Sequence, residues 1–197
     1  MKVVAVSQRV DVWPERNECR DALDQQLILF IASCGGLAVP VPNFVEKPDL
    51  LRQWLDTLQP KAIILSGGND IGQCNERYMT ECKLLEYADR CQLPVLGICR
   101  GMQMMGVWAG AQLKAVTGHV RSRHHIVGDI RGEVNSFHNF SLIDMPDDYA
   151  VLAKSEDGEI EAICHQLLPW EGWMWHPERE SEFSKEDIQR FVKLIDG

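Results

Sequence analysis

The sequence lacks the features that mark membrane, secreted and disulfide-bonded proteins. No apolar run approaches the ~20 residues that a membrane-crossing helix needs. The N-terminal stretch MKVVAVSQRV has too short an apolar part for a signal peptide and no small-residue cleavage site. The seven cysteines are an odd number and include no C-x-x-C pair, which disfavours a disulfide framework and a thiol-ligated zinc site. We therefore expect a protein of the reducing cytoplasm with no membrane partner.

Basic residues are also scarce. The 197 residues include 20 Lys and Arg against 29 Asp and Glu, a formal net charge of -9. General binding to nucleic acid needs a net basic surface, so this class of partner is excluded, whereas a small anionic ligand needs only a few local arginines. Neither linkers nor repeats interrupt the chain. A chain of this size buries roughly 70% of its unfolded surface, so we expect a single domain over residues 1–197.

Strands alternate with helices in the first half of the sequence. Short apolar runs predict strands at 2–6, 37–41, 61–66 and 94–97. Apolar residues at helical spacing predict helices at 20–34, 48–58, 75–91 and 100–109, and residues 7–19 look irregular. Shorter strand-like segments follow at 125–130, 133–136, 151–154, 159–164 and 172–175, before a helix at 184–195 capped by Ser184. The pattern predicts an α/β fold, a mostly parallel central sheet flanked by helices with a small antiparallel extension.

One cysteine stands in a pattern that the other six do not share. Cys99 lies between a predicted strand and a predicted helix, within the segment Gly97–Gly101. This G-x-nucleophile-x-G order is typical of a sharp strand-to-helix turn, because glycines let the backbone pass close to itself. Such a turn presents its side chain at the carboxyl end of the sheet, where α/β folds place ligands, and the following helix directs its positive end at the sulfur. We predict a nucleophile at Cys99; a buried structural cysteine is the alternative.

Two further segments suit the same site. His176 ends a short aromatic-rich strand, and Glu178 lies two residues on, where a carboxylate can orient the imidazole toward a thiol. Ser66–Asp70, after the third strand, contains a glycine pair that can turn an amide N–H toward the nucleophile. Together with the N–H of Arg100, that amide would form an oxyanion hole. Considered singly, the histidine could be a structural residue and the glycines an ordinary turn.

These segments, in this order, resemble those of the class I glutamine amidotransferase family. The shared pattern is a Gly-Gly turn, then Gly-x-Cys-x-Gly-x-Gln, then His-Pro-Glu near the C-terminus. The resemblance implies that Cys99 is the nucleophile, His176 the general acid/base and Glu178 its orienting carboxylate, with oxyanion N–H groups at Gly68 and Arg100. It also implies a set of residues that hold the glutamyl group: Gln103, Asn135, Ser136, Phe137 and His138. We expect no cofactor.

Within the family, the segments Gly-Gly-Asn-Asp and Cys-Arg-Gly are similar to free-standing γ-glutamyl hydrolases of the γ-glutamyl-γ-aminobutyrate hydrolase type. Ammonia-delivering glutaminases more often carry Gly-Gly-Pro and a hydrophobic residue after the cysteine. The length leaves no room for a synthase domain beside the amidotransferase fold. We therefore expect hydrolysis of a γ-glutamyl amide with no obligate synthase subunit. The alternative is a glutaminase subunit that feeds a separate synthase.

Basic residues cluster at two places outside the triad. Arg9, Arg16 and Arg20 surround the loop after the first strand and are candidates for binding an anionic leaving group, although acidic neighbours could instead neutralise them. A second basic stretch runs over residues 121–131. Three histidines near it are conceivable metal ligands: His119, His124 and His125. No acidic or thiol partner has suitable spacing, so no metal site is expected.

Three longer segments are similar to one narrower branch of the hydrolases, which accompanies bacterial surface-polysaccharide genes. The segments are SQRV, ERNECRDALDQ and MWHPERE. The resemblance implies hydrolysis of γ-glutamyl-CDP-amidate to glutamate and cytidine diphosphoramidate, a step toward phosphoramidate decoration of a capsule. A diphosphate beside the scissile amide would suit Arg9, Arg16 or Arg20. Hydrolysis of another γ-glutamyl amine, such as γ-glutamyl-γ-aminobutyrate, is the alternative.

Overall fold

A computed structural model describes residues 1–43 and 48–197. Its strands are β1 (Lys2–Ser7), β2 (Arg9–Trp13), β3 (Glu18–Ala22), β4 (Gly36–Val41), β5 (Ala62–Leu65), β6 (Val95–Ile98), β7 (Leu113–Ala115), β8 (Val120–Gly128), β9 (Gly132–Phe137), β10 (Phe140–Leu142), β11 (Tyr149–Ser155), β12 (Ile160–His165) and β13 (Trp170–Trp173). Its α-helices are α1 (Gln25–Ser33), α2 (Pro48–Leu58), α3 (Asn75–Cys91), α4 (Arg100–Trp108) and α5 (Lys185–Asp196). No helix in the described ranges is both long enough and apolar enough to cross a bilayer.

A nine-stranded sheet in the order β4-β1-β5-β6-β13-β12-β11-β8-β9 organises the molecule. The first five strands in this order pair in parallel, and the last four continue the same sheet in antiparallel register. The predicted fold class is thus confirmed, and its antiparallel extension is part of the central sheet. Since parallel strands end at a common edge, the loops after β1, β5, β6 and β13 meet there.

Each face of the sheet buries a separate apolar cluster. Val4 and Val6 pack with α1 and α5, whereas Ala5 between them packs with α2, α3 and α4. This division follows from the two-residue period of a strand, which sends successive side chains to opposite faces. With helices on both sides, the central strand β5 is buried along its whole length and reads as the unbroken apolar run AIIL.

The segment after β1 is where the sequence-based description was wrong. Residues 7–19 are not irregular: β2 and β3 form an antiparallel hairpin, reversed by a short helical turn at Pro14–Arg16 and by Asn17 at φ 49°. Because β3 runs to Ala22, the first helix begins at Gln25 rather than at residue 20. Asp24 caps that helix by accepting a hydrogen bond from the Gln26 N–H.

The predicted strand at 125–130 is β8, which begins five residues earlier, at Val120, and ends at Gly128. Apart from this strand and the first helix, the predicted boundaries agree closely with the structure. The helices α2 and α3 have the predicted limits, and Ser184 caps α5 by accepting a bond from the Asp187 N–H at 3.2 Å. The short pair β7 and β10 was not predicted, since each strand has only three residues and periodicity is not visible over that length.

Candidate active site

Cys99 occupies the turn between β6 and α4 with strained backbone dihedrals of φ 51° and ψ -106°. A positive φ of this kind costs energy in a non-glycine residue, and such strain is typical of functional turns. The flanking glycines make the turn possible. A Cβ on Gly101 would lie 1.9 Å from the Leu65 carbonyl oxygen, and a Cβ on Gly97 would lie 2.6 Å from the Met102 nitrogen. The close backbone approach inferred from the glycine spacing is therefore confirmed.

The imidazole of His176 lies directly after β13 and is 2% exposed. Its Nδ1 is 2.7 Å from Glu178 Oε1, so this nitrogen carries a proton and Nε2 is the ring nitrogen left for the Cys99 sulfur. Burial by itself lowers the pKa of His176, but the neighbouring Cys99 sulfur and the Glu178 carboxylate, which is hydrogen-bonded to the ring, raise it to about 9. The ring therefore keeps its proton to a higher pH than an ordinary histidine does.

Asn135 fixes the backbone around this histidine. Its Oδ1 accepts a bond from the His176 N–H at 3.0 Å, and its Nδ2 donates to the His176 carbonyl at 2.8 Å. Phe137, two residues along β9, packs edge-to-face on the imidazole with ring centroids 5.8 Å apart. The resemblance assigns Asn135 to the glutamyl group, whereas the structure shows its amide positioning the candidate base.

The glycine pair after β5 packs against the same histidine. A Cβ on Gly67 would lie 2.6 Å from the His176 Cε1 atom, so any larger residue at position 67 would collide with the ring. The next residue, Gly68, has φ +112°, a conformation that L side chains rarely adopt. Arg100 is the first residue of α4, and its N–H has no acceptor within the helix. These are the two positions expected to supply oxyanion donors.

Gly67→Ala is expected to lower kcat about 10²-fold because the added methyl displaces the imidazole from the sulfur and misplaced catalytic groups cost about that much. Unfolding by urea measures whether stability changes in parallel. Gly72→Ala is the control for steric contact, since a Cβ at Gly72 meets nothing within 4 Å. Gly72 has φ +95°, unlike Gly67, so its replacement can lower stability but places no methyl group against the ring. Equal losses of kcat in the two variants would contradict a steric role for Gly67.

A buried ionic network lies beneath this glycine loop, and sequence reasoning missed it. Glu81 Oε1 accepts bonds from Arg77 Nε at 3.0 Å and from Ser7 Oγ at 2.8 Å, while its other oxygen pairs with the Arg100 guanidinium. Arg77 also donates to the Ser66 carbonyl. Burial lowers the pKa of Arg77 to about 10 and that of Arg100 to about 8. The available signal was two charges spaced i, i+4 within the apolar face of α3.

Two adjoining cavities open onto Cys99 and His176, with volumes of about 280 and 290 Å³. Arg9 and Arg179 line both, together with Gly68 and His176. The Arg179 guanidinium lies over the Phe137 ring, 4.6 Å from its centroid. The lining of the cleft therefore includes two cationic side chains, of which Arg9 donates from Nε to Asp11 Oδ1 at 2.7 Å.

Of the remaining predicted site residues, some line the cleft and others lie outside it. Gln103, Phe137 and His138 line the cavity that contains Cys99. Ser136 is fully buried, and its hydroxyl donates to the His119 carbonyl at 2.7 Å. Arg16 and Arg20 stand over the Trp13 ring on the hairpin, and neither is among the described residues that line the two cavities.

In the second basic stretch, Arg123 is paired with acidic side chains, whereas Arg131 donates to the Gly128 carbonyl. Arg123 bonds Glu180 through Nη1 at 2.9 Å and lies 3.5 Å from Glu133. The histidines do have an acidic partner that their spacing along the chain does not reveal, because the fold brings Glu161 from β12 within 3.4 Å of His119. His125, by contrast, is exposed on the other face of β8.

This fold, with a cysteine on the strand-to-helix turn beside a histidine and a carboxylate, defines the class of protein. The chain belongs to the class I glutamine amidotransferase family, which it matches over residues 21–193.

Its relatives include both hydrolases and synthase subunits. A γ-glutamyl-CDP-amidate hydrolase from Campylobacter jejuni is 33% identical over 127 residues, which cover 61% of this chain and 64% of that protein, just under two thirds of its length. A glutamine-hydrolysing GMP synthase subunit from Methanothrix thermoacetophila is 31% identical over 146 residues, covering 67% and 75%. The crystal structure of a putative GMP synthase subunit from Thermoplasma acidophilum superposes with a TM-score of 0.74 at 21% identity, covering 100% of this chain and 94% of that one.

Proposed function

We propose that the protein hydrolyses the γ-glutamyl amide bond of γ-glutamyl-CDP-amidate, releasing glutamate and cytidine diphosphoramidate. The observation that carries this proposal is the pair Arg9 and Arg179 at the junction of the two cavities beside His176. A diphosphate next to the scissile nitrogen needs cationic groups at that place, and a guanidinium binds phosphate oxygens in a bidentate manner. The relative from Campylobacter jejuni bears this activity in its name.

The proposed mechanism is acyl transfer through a thioester. The Cys99 sulfur attacks the γ-carbonyl carbon, and the oxygen takes up negative charge facing the N–H groups of Gly68 and Arg100. His176 then gives its Nε2 proton to the departing nitrogen as the C–N bond breaks. Water attacks the γ-glutamyl thioester while His176, now neutral, accepts a proton from it, and glutamate leaves as the sulfur is released.

Glu178 holds the proton on His176 Nδ1 throughout both steps. The proposal places the reaction in the cytoplasm, where the free cysteine stays reduced and where a nucleotide-linked substrate for capsule modification would be made. No synthase subunit is part of this scheme.

A second candidate is a glutaminase subunit that passes ammonia to a separate synthase. The observation that favours it is the similarity to GMP synthase subunits, which covers 75% of the Methanothrix protein. Both candidates share the thioester chemistry, so only the leaving group and the need for a partner separate them.

A comparison of three substrates tests the choice. The protein is incubated separately with γ-glutamyl-CDP-amidate, L-glutamine and γ-glutamyl-γ-aminobutyrate, and the rate of glutamate release gives kcat/KM for each. We expect the CDP-amidate to exceed the other two by about 10²-fold or more, since ion pairing with a diphosphate contributes several kcal/mol. Faster turnover of L-glutamine, further raised by a co-purified synthase, would establish the second candidate instead.

The arginines provide a sharper version of the same test. Arg9→Gln and Arg179→Gln are expected to raise KM for the CDP-amidate while leaving KM for γ-glutamyl-γ-aminobutyrate nearly unchanged. Arg16→Gln is the matched control, because its side chain stands on Trp13 outside the cleft lining. If Arg16→Gln impairs the CDP-amidate as strongly as Arg9→Gln does, the leaving group lies against the hairpin and the assignment to the cleft fails.

Glu178→Gln is expected to move the alkaline limb of the pH–rate profile. His176 must be protonated to release the leaving nitrogen, so activity falls as pH rises through its pKa of about 9. Removing the carboxylate removes one of the charges that raise that pKa, and the limb should fall to about pH 7–8. The measurement is kcat from pH 5 to about 10. An unchanged limb would mean that Glu178 does not govern the protonation of His176.

A further inference from the structure

Four side chains from separate parts of the antiparallel half converge at one buried point. His119 precedes β8, His124 lies within it, His138 follows β9 and Glu161 belongs to β12. Glu161 Oε1 lies 3.4 Å from His119 Nδ1, 3.3 Å from His124 Nε2 and 3.4 Å from His138 Nε2. His119 and His138 are each 3% exposed and Glu161 is fully buried.

The outer nitrogens of two of these rings are already engaged. His119 Nε2 is 2.9 Å from Asp157 Oδ2, and His138 Nδ1 is 3.0 Å from the carbonyl oxygen of Phe140. A carboxylate and a carbonyl only accept, so both of these nitrogens carry hydrogen. In the neutral rings, His119 Nδ1 and His138 Nε2 therefore present lone pairs to each other across 3.2 Å.

The centre of the cluster is thus rich in acceptors. Neither carboxylate oxygen of Glu161 has a hydrogen-bond partner among the described residues, nor does His124 Nε2. A buried carboxylate and converging lone pairs repel one another unless a cation lies between them. A single added proton can bridge only one pair of these atoms, whereas a metal ion can bond all four.

We propose that His119, His124, His138 and Glu161 bind a structural Zn²⁺ ion. Tetrahedral zinc with ligands at about 2.0–2.1 Å places neighbouring ligand atoms about 3.3–3.4 Å apart. Four of the six separations among these ligand atoms have that size: the three from Glu161 Oε1 are 3.3–3.4 Å, and that between His119 Nδ1 and His138 Nε2 is 3.2 Å. The ligand atoms of His119, His124 and Glu161 all lie within 4.8 Å of one another. His119 donates its outer hydrogen bond to Asp157, and His138 donates its own to the Phe140 carbonyl. Histidines that bind a metal characteristically have such partners, which fix the nitrogen that faces the metal.

The proposed zinc site would connect the antiparallel strands to the catalytic cleft. Three ligands join β8 to β12, and the fourth, His138, adds the end of β9 and also lines the cavity beside Cys99. Phe137, the preceding residue, packs on the His176 ring. Zinc would therefore hold β9 in the position that supports the candidate base, without itself touching the reacting atoms.

Equilibrium dialysis of the full-length protein against buffered Zn²⁺, followed by elemental analysis, tests the site. We expect about one zinc per chain in the parent, less than about a tenth in Glu161→Gln and in His119→Gln, and the parental value in His125→Ala. His125 is the matched control, since it follows His124 in β8 but is exposed on the opposite face. All variants keep the seven cysteines, so any zinc held by thiols is common to them.

Dialysis against Co²⁺ gives a readout that does not depend on the variants folding. Tetrahedral Co²⁺ with nitrogen and oxygen ligands is expected to give strong visible absorption without the near-ultraviolet thiolate bands that cysteine ligands produce. The proposal fails if the parent binds less than about a tenth of an equivalent of zinc, if Glu161→Gln retains the parental amount, or if thiolate bands dominate the Co²⁺ spectrum.

Discussion

Replacing Cys99 by alanine is expected to abolish turnover of γ-glutamyl-CDP-amidate, with kcat reduced by about 10⁴-fold or more. Without the sulfur no thioester forms, and His176 and the oxyanion N–H groups are left to promote direct attack by water. The fold should tolerate the change, since alanine keeps the Cβ of cysteine and adds no atom at the turn. Glutamate release under single-turnover conditions measures the loss, and circular dichroism checks the fold.

Cys74→Ala is the matched control for this variant. Cys74 precedes α3, its side chain makes no capping hydrogen bond, and it is partly exposed. Its replacement should leave kcat at the parental value. A glutamine-like electrophile should correspondingly modify Cys99 and spare the other six thiols. Preferential labelling of Cys19 or Cys74, or substantial activity in Cys99→Ala, would place the nucleophile elsewhere.

The sequence was sufficient to predict the parts of the site that depend on local backbone geometry. The segment Gly97–Gly101 predicts its own turn, because a Cβ at either glycine would collide with backbone atoms. His176 and Glu178 are two residues apart, so their pairing needs only a local bend after β13. The order of strands and helices then brings these segments to one edge of a parallel sheet.

Contacts between distant segments could not be predicted in this way. The hairpin β2–β3 is held in part by Asn69, whose Oδ1 accepts a bond from the Val10 N–H and whose Nδ2 donates to the Val10 carbonyl. Nothing in the irregular-looking residues 7–19 indicates a partner so far along the chain. Glu161 likewise meets three histidines only because of the strand order, which their spacing along the chain does not indicate. The charges buried at Arg77 and Glu81 resemble an ordinary exposed helical pair.

The largest effect on stability is expected from a substitution in the buried ion pair of Arg77 and Glu81. Glu81→Gln is expected to lower the free energy of unfolding by about 3–5 kcal/mol, because it leaves the guanidinium groups of Arg77 and Arg100 buried with no compensating charge. The glutamine has the shape of the glutamate, so no cavity contributes to the loss. Its Oε1 can still accept one bond, but its NH₂ group meets the second guanidinium. The midpoint of urea unfolding, at unchanged slope, measures the difference.

Glu86→Gln is the matched control for this prediction, because it makes the same substitution on the same helix. Glu86 pairs with Lys83 at 2.7 Å, but the two side chains are 52% and 42% exposed, so its loss should change stability by under about 0.5 kcal/mol. Glu81→Gln should also lower kcat under conditions in which it remains folded, since Arg77 supports the Ser66 carbonyl and Arg100 follows Cys99. Equal stabilities of the two variants would show that the guanidinium charges are compensated by water rather than by Glu81.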